Sequence, residues 1–334
     1  MSLVALGWDE TWAEAARAGG VTGSAGRVAR VDLGLVTVLT EAGPVRAAPD
    51  EEAVATGDWV LVAGDHVAAV LPRRSAFVRG DPMEGKARGP QVVAANVDIV
   101  LIVQSLTNGP NVRRLERELV LAYESGAQPV VALAKADLVG AGAVDDAVVV
   151  AGEAAPGVDV LVTSAVSGEG MDEMHALTRD NRTIALIGAS GVGKSTLVNA
   201  LAGEDVQATG DVRAHDQRGR HTTTARELVL LPGGGVLIDT PGLRAVSLWD
   251  ADEGLSRTFA DIEALAEQCR FNDCSHRSEP GCAVLAAIER GELDRARYEH
   301  YLRLDAELDA AERRRRGREL SKWQRQYKKL YGNR

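Results

Sequence analysis

From Val21 to Val70 apolar and polar residues alternate over short stretches, as in GRVARVDLGLVTVLT and WVLVAGDHVAAVL, with Gly, Pro and Asp between them. Period-two alternation broken by turn formers marks strands with one buried face. Four or five such strands predict a compact barrel of the OB type, a class that often binds oligonucleotides but also serves in protein packing. Aromatic residues are scarce here, so Trp59 and Phe77 are predicted to fill the core rather than to stack on bases. The segment Arg73 to Gln91, RRSAFVRGDPMEGKARGPQ, is rich in Gly, Pro and Arg and predicts a linker or mobile loop.

Beyond it the pattern becomes one of strands interleaved with helices. Val97 to Val103, Pro129 to Leu133, Val158 to Val162 and Thr183 to Ile187 predict strands, and Arg113 to Ser125 a helix closed by Gly126. Such alternation predicts a parallel sheet covered on both faces, the usual carrier of phosphate loops at strand ends. After Gly242 helices follow at Asp252 to Ala266, Ala283 to Arg290 and Leu293 to Leu308, then a basic tail. A chain of 334 residues exceeds what one core usually holds. The predicted division is 1–90 for the barrel and linker, 91–245 for the α/β domain and 246–334 for the helical domain with its tail.

Composition narrows the class. The hydrophobic fraction of 45% and charged fraction of 26% are those of a soluble protein. No stretch approaches the ~20 apolar residues of a membrane span, and Met1 to Glu10 lacks the pattern of a secretory signal. A cytosolic protein without a membrane partner is therefore expected. The net charge of −10 argues against a surface that is polyanion-binding throughout. From Arg313 onward, however, the chain reads RRRRGRELSKWQRQYKKLYGNR, and any polyanion contact is expected to start there.

The chemistry begins at Gly188 to Ser195, GASGVGKS, preceded by the apolar TIALI and followed by the helical TLVNAL. This is a phosphate loop in the strand–loop–helix context it requires. Backbone N–H groups of Gly188, Ala189, Ser190, Gly191, Val192 and Gly193 are expected to curl around phosphates, with Thr196 also in the binding stretch. Lys194 reaches the β- and γ-phosphates, and the Ser195 hydroxyl holds Mg²⁺. Asp239 to Gly242, DTPG, supplies a carboxylate for the same ion and a glycine N–H that senses the γ-phosphate. Between them, GRHTTT offers Thr223 as a further Mg²⁺ ligand. The predicted catalytic set is thus Lys194, Ser195, Thr223, Asp239 and Gly242.

Upstream, Lys135, Ala136 and Asp137 in VALAKADL are similar to the base-reading NKxD element of GTPases, and Ser164 and Ala165 in TSA stand where its supporting SA element belongs. A carboxylate at Asp137 accepts two hydrogen bonds from guanine N1 and N2, whereas adenine N1 is an acceptor and would leave it unpaired. GTP and GDP are the expected nucleotides, and an ATPase is disfavoured. Ala134 stands where the pattern has Asn, which should loosen the base pocket by about 1–2 kcal/mol. The order is inverted relative to ordinary GTPases: KxD and SA precede the phosphate loop, TTT and DTPG. Such a permutation preserves a sheet whose original termini lie close together. Leu243 occupies the position after DTPG where many GTPases carry a water-orienting Gln, so slow intrinsic hydrolysis raised by a partner is expected.

All three cysteines fall within fourteen residues as Cys269, Cys274 and Cys282, with His276 among them. Three thiolates and an imidazole complete a tetrahedral shell with no open position, which predicts one structural Zn²⁺.

Together these elements resemble the circularly permuted, small-subunit-dependent GTPases of the RsgA family. LPRRSAFVR, QVVAANVDIVLIV, ESGAQPVVALAKADL, GASGVGKSTLVNAL, GRHTTT, DTPG and CRFNDCSHRSEPGCAV carry the resemblance over nearly the whole chain, with Ala134 the one clear mismatch. It implies an OB barrel, a permuted α/β P-loop GTPase domain and a zinc-bearing helical module. It also implies binding to the 30S ribosomal subunit and its 16S rRNA in late maturation, with hydrolysis stimulated by the subunit. A monomer is expected. The alternative is a GTP-gated assembly scaffold with negligible hydrolysis.

Overall fold

The computed structural model describes residues 1–49, 53–79, 91–203, 227–239 and 251–331, giving only the backbone for 239 and 314–331. A short helix that the alternation does not reveal, α1 (Glu10–Ala18), comes first. Asp9 caps it by accepting a bond from the Trp12 N–H at 3.1 Å, and Trp12 is its one buried residue.

The barrel is made by β1 (Ser24–Val31), β2 (Val36–Thr40), β3 (Gly43–Pro49), β4 (Trp59–Ala63) and β5 (His66–Val70). They pair in the order β1-β2-β3-β5-β4, and β4 returns to β1, so five strands close the barrel. Only β3 with β5 is parallel. Trp59 and Phe77 are both buried, as their setting predicts.

One residue inside the barrel is a cation. Arg27 on β1 is buried beside Trp59, its guanidinium 5.2 Å from the ring centroid. It donates to the carbonyls of Gly57 (3.3 Å), Asn96 (2.9 Å) and Leu6. Burial pushes its pKa down to about 10, with Asp98 and Asp58 pulling the other way, so it stays charged at neutral pH. Three separate stretches of chain are thereby tied to one side chain.

The stretch predicted as a linker has strands at its ends. β6 (Ala76–Arg79) pairs antiparallel with β7 (Gln91–Ala95), burying Phe77 and Val93. Four residues are too few for alternation to stand out among Gly, Pro and Arg.

The next elements are β8 (Ile99–Ser105), α2 (Val112–Glu124), β9 (Gln128–Ala134), α3 (Ala141–Ala154), β10 (Val160–Thr163), α4 (Met171–Ala176), β11 (Thr183–Ile187), α5 (Lys194–Ala202), β12 (Glu227–Leu230) and β13 (Val236–Asp239). The sheet order is β10-β9-β8-β11-β13-β12, parallel except for β12. Fully buried runs such as IVLIVQS are what a strand covered on both faces requires. β12 also pairs with β1 of the barrel, Arg30 opposite Glu227, so barrel and α/β sheet form one eleven-stranded system. Residues Met1–Val246 make a single compact unit.

Ser247–Arg334 make a second unit. The predicted helix Asp252 to Ala266 is two, α6 (Asp252–Thr258) and α7 (Ala260–Ala266). The break is at Phe259, whose ψ of 39° is not helical; its ring is buried against Tyr301 at 5.5 Å, with the Arg297 guanidinium 4.8 Å away. α8 (Ala283–Glu289) follows, then α9 (Arg295–Tyr331), which carries the basic tail as a continuation of one helix. Among the described residues no helix is long and apolar enough to cross a membrane.

Replacing Arg27 by Met leaves three buried carbonyls without their cation. The expected loss is about 3–5 kcal/mol of unfolding free energy, read from urea denaturation of the full chain.

Candidate nucleotide and metal sites

In a parallel sheet the strands end at one edge, and ligands bind outside their carboxyl ends. Four of these ends carry the residues picked out by pattern. β11 runs into Gly188, β9 into Lys135, β10 into Ser164, and β13 ends on Asp239. Adjacent registers keep the ends level: Thr163 lies opposite Ala134, Ala134 opposite Ser105, and Ile187 opposite Ile102.

Gly188 is where the phosphate loop leaves the sheet, and no other residue fits there. Its φ is +142°, and a Cβ would lie 2.5 Å from the Val103 carbonyl oxygen. Lys194, first residue of α5, turns its ammonium into the loop, donating to the Gly188 carbonyl at 2.9 Å and to that of Ala189. Ser195 follows it on the same helix, half-buried, while Ser190, Gly191 and Thr196 are exposed. Val192 is buried against Leu197 and Val198, which anchors the loop to its helix.

The KxD element meets the phosphate loop through Lys135. Lys135 adopts a left-handed conformation (φ 68°), and its ammonium donates to the Gly191 carbonyl at 2.6 Å, lying across the loop. Asp137 is exposed, and its Oδ1 accepts from the buried Ser164 hydroxyl at 2.5 Å. Ser164 also receives the N–H groups of Val166 (3.3 Å) and Ser167 (3.1 Å), so its hydroxyl is held for the carboxylate. Ala165 is half-buried against the neighbouring core. The methyl of Ala134 comes 3.7 Å from where a Cβ on Gly193 would stand. A side-chain amide at 134 would therefore reach the loop that alanine only touches. Thr223, Gly242 and Leu243 lie outside the described residues, as does the Asp239 side chain.

Pattern reading missed a buried carboxyl beside this site. Glu118 of α2 is only 7% exposed, and its Oε2 accepts from Gln104 Nε2 at 3.0 Å. The Gln104 carbonyl oxygen in turn accepts the N–H of Asn111 (3.2 Å), which starts α2. Burial pushes the Glu118 carboxyl up to about 7, against the pull of Arg114 and of Lys194 in the phosphate loop. A signal was present: Glu118 falls on the helical stripe of Leu115, Leu119 and Ala122, where a carboxylate is out of place.

The cysteine cluster fits a closed zinc shell. The ligand atoms of Cys269, Cys274, His276 and Cys282 lie within 4.8 Å of one another. Cys269 Sγ and Cys282 Sγ are each 3.5 Å from His276 Nδ1 and 3.9 Å apart. Tetrahedral bonds of about 2.3 Å to sulfur and 2.0 Å to nitrogen require edges of about 3.5–3.8 Å. The Cys269 thiol is held below its usual pKa: burial works against ionisation, but the N–H groups of Ala283 and Val284 outweigh it. Residues absent from the sequence reading shape the loop. Glu279 accepts the Ser275 hydroxyl and the N–H groups of Ser275 (3.0 Å), Arg277 (2.9 Å) and Ser278 (3.0 Å). Tyr298 donates its hydroxyl to the carbonyl of His276 at 2.5 Å, fixing a residue whose φ is 59°.

A phosphate loop after β11, KxD and SA elements after β9 and β10, and an aspartate at the end of β13, with the KxD and SA elements earlier in the chain, define a circularly permuted P-loop GTPase. Solved structures agree in fold. YjeQ from Thermotoga maritima superposes with a TM-score of 0.65 and 27% identity, over 85% of this chain and 98% of that one. YloQ, a circularly permuted GTPase, gives 0.62 and 25%, over 86% and 96%. The RsgA GTPase family profile matches residues 70–249. A Streptomyces avermitilis protein named small ribosomal subunit biogenesis GTPase RsgA is 51% identical over 315 residues, covering 90% of this chain and 84% of that protein. The Streptomyces coelicolor protein of the same name is 50% identical, covering 91% and 86%. The chain belongs to the RsgA GTPase family, binds guanine nucleotide and hydrolyses GTP.

Two outcomes are expected here. Ala134→Asn restores an amide against the loop at Gly193 and should tighten GDP binding by about 5–30-fold, read by fluorescent-nucleotide titration. For Glu118 the folded pKa lies above its ordinary 4.5, so its contribution to stability is full at low pH and is lost as pH rises through about 7. Glu118→Gln, always neutral, should match wild-type stability at pH 4 and exceed it at pH 8 by up to about 3 kcal/mol, read from denaturation midpoints.

Proposed function

We propose that this GTPase binds the 30S ribosomal subunit through its 16S rRNA, acts in late maturation of the subunit, and uses hydrolysis to time its own release. The convergence of phosphate-loop and base-reading residues at one sheet edge, in a chain of this family, carries the reading. The names of the two Streptomyces relatives point to the small ribosomal subunit as partner. The protein acts as a cytoplasmic monomer with three working parts: barrel and linker (1–90), permuted GTPase domain (91–245), and helical domain with its tail (246–334).

Asp137 reads guanine N1 and N2, supported by Lys135, Ala136, Ser164 and Ala165. The amides from Gly188 to Gly193, with Thr196, hold the phosphates. Ser195, Thr223 and Asp239 hold Mg²⁺, which when bound offsets charge on the β- and γ-phosphates. Water attacks the γ-phosphorus in line; its oxygen forms the new bond as the bond to the bridging oxygen breaks, and GDP and phosphate result. Lys194 and the loop amides stabilise the charge of that transition state, and the Gly242 N–H senses whether the γ-phosphate is present. Cys269, Cys274, His276 and Cys282 hold one structural Zn²⁺, and the basic residues of α9 contact rRNA phosphates.

Leu243 provides no polar group to orient the water, so the subunit must complete the site. Single-turnover hydrolysis with and without 30S subunits tests this. Acceleration by about tenfold or more is expected, and Lys194→Ala should abolish hydrolysis in both conditions. Equal wild-type rates with and without subunits would refute the dependence.

A further inference from the structure

The β12–β13 hairpin is built into two cores at once. Its residues alternate, as strand residues must. Leu228 and Val236 are buried among Trp12, Ala29, Trp59 and Leu61, within the barrel's own apolar cluster. Val229 and Leu237 face the opposite way, into the cluster of Leu197, Val198 and Leu201 on the phosphate-loop helix α5. Leu228 is paired with Ile238, and Val229 with Leu237, so each face is shared by both strands.

Two further contacts fasten the barrel to this hairpin. β1 continues the sheet onto β12 through Arg30 and Glu227. On the other strand, the barrel loop at Gly57 approaches so closely that a Cβ would stand 2.8 Å from Ile238 Cδ1 and 2.1 Å from the Ala95 carbonyl oxygen. Gly57 has φ +92°, and its N–H donates to the Val28 carbonyl of β1 at 2.8 Å. The loop that touches Ile238 is therefore part of the barrel wall.

The position of the hairpin in the chain gives these contacts their meaning. Glu227, which opens β12, follows Thr224 of GRHTTT by three residues, and Asp239, which closes β13, is the first residue of DTPG. The hairpin is thus the covalent link between the two segments assigned to γ-phosphate sensing. We infer that the barrel is a working part of the γ-phosphate sensor: it sets the position of β12–β13, and through it the preference of the site for GTP over GDP. The inference rests on the roles proposed for Thr223, Asp239 and Gly242. A hairpin close-packed on both faces does not shift against one core without disturbing the other. Linkage then makes the effect reciprocal, so that a ligand of the barrel alters nucleotide preference and nucleotide alters the barrel's affinity for its ligand.

The test uses full-length protein and nucleotide alone. Dissociation constants for GDP and for a non-hydrolysable GTP analogue are measured in wild type, Leu228→Ala and Val38→Ala. Leu228→Ala loosens the hairpin from the barrel. Val38 belongs to a separate cluster drawn from all five barrel strands, without hairpin residues, and controls for general loss of barrel stability. The expected result is a shift of the GDP-to-analogue affinity ratio by about fivefold or more in Leu228→Ala, with the wild-type ratio kept in Val38→Ala. An unchanged ratio in Leu228→Ala, or an equal shift in both variants, overturns the inference. Should Leu228→Ala not fold, amide exchange of the wild type decides: residues 28–31 and 53–58 should exchange differently with GDP and with analogue, while β3 should not. Identical exchange in all three overturns it. Ribosomes appear in none of these measurements, so absence of 30S stimulation counts against the proposed function and not against this coupling.

Discussion

A parallel sheet delivers the carboxyl ends of its strands to one edge whatever order the chain visits them, and the nucleotide site depends on that constraint. β9 and β10 come before β11 in sequence, yet the order β10-β9-β8-β11-β13 sets Asp137, Ser164, Lys194 and Asp239 along the same edge. Hydrogen bonds made across the edge hold the pieces together: Lys135 to the Gly191 carbonyl, and Ser164 to Asp137. Neither bond is sensitive to which residue was synthesised first. Permutation therefore changes what is attached to each end of the motif set without changing the set.

The attachment at the barrel side is polar at its centre. Asn96, in a left-handed conformation, donates its side-chain amide to the Gly57 carbonyl at 3.1 Å and accepts the Arg74 N–H at 3.0 Å. Its own carbonyl takes a bond from Arg27. A buried cation with three carbonyl partners specifies one arrangement, because any displacement leaves polar groups unpaired in a low-dielectric interior. Apolar contacts around Trp59 supply the burial, and Arg27 supplies the register.

Much of the α/β sheet and of the phosphate site was legible because the signals are local. A strand, a glycine-rich turn and a helix are contiguous in TIALIGASGVGKSTLVNAL, and the cysteine cluster spans a single loop. Where the deciding contact is distant, sequence gave less. α1 is nine residues long with one buried side chain, and its meaning comes from Trp59, far along the chain. Phe259 sits in a run that reads as one helix, and only Tyr301 and Arg297 on α9 account for the break. Glu118 was visible as a misplaced charge, but its partner Gln104 lies on another element. The pairing of β1 with β12 joins residues nearly two hundred positions apart, which no period along the chain encodes.

That last pairing changes what the sequence boundaries mean physically. A shift in composition near residue 90 separates a barrel from an α/β domain, but hydrogen bonds and apolar contacts run across it without interruption. A mechanical boundary requires a place where few contacts cross, and Met1–Val246 instead cluster as one compact unit. The second unit, by contrast, begins at Ser247, soon after DTPG. The permuted order therefore joins the segments proposed to sense the γ-phosphate, in sequence, to a hairpin that the barrel helps to bury on one side and to the helical unit on the other. A motif set in the ordinary order would place the guanine-reading strands at that exit instead. In this chain the segments proposed to sense the γ-phosphate are joined covalently to the helical unit and to a hairpin that packs against the barrel.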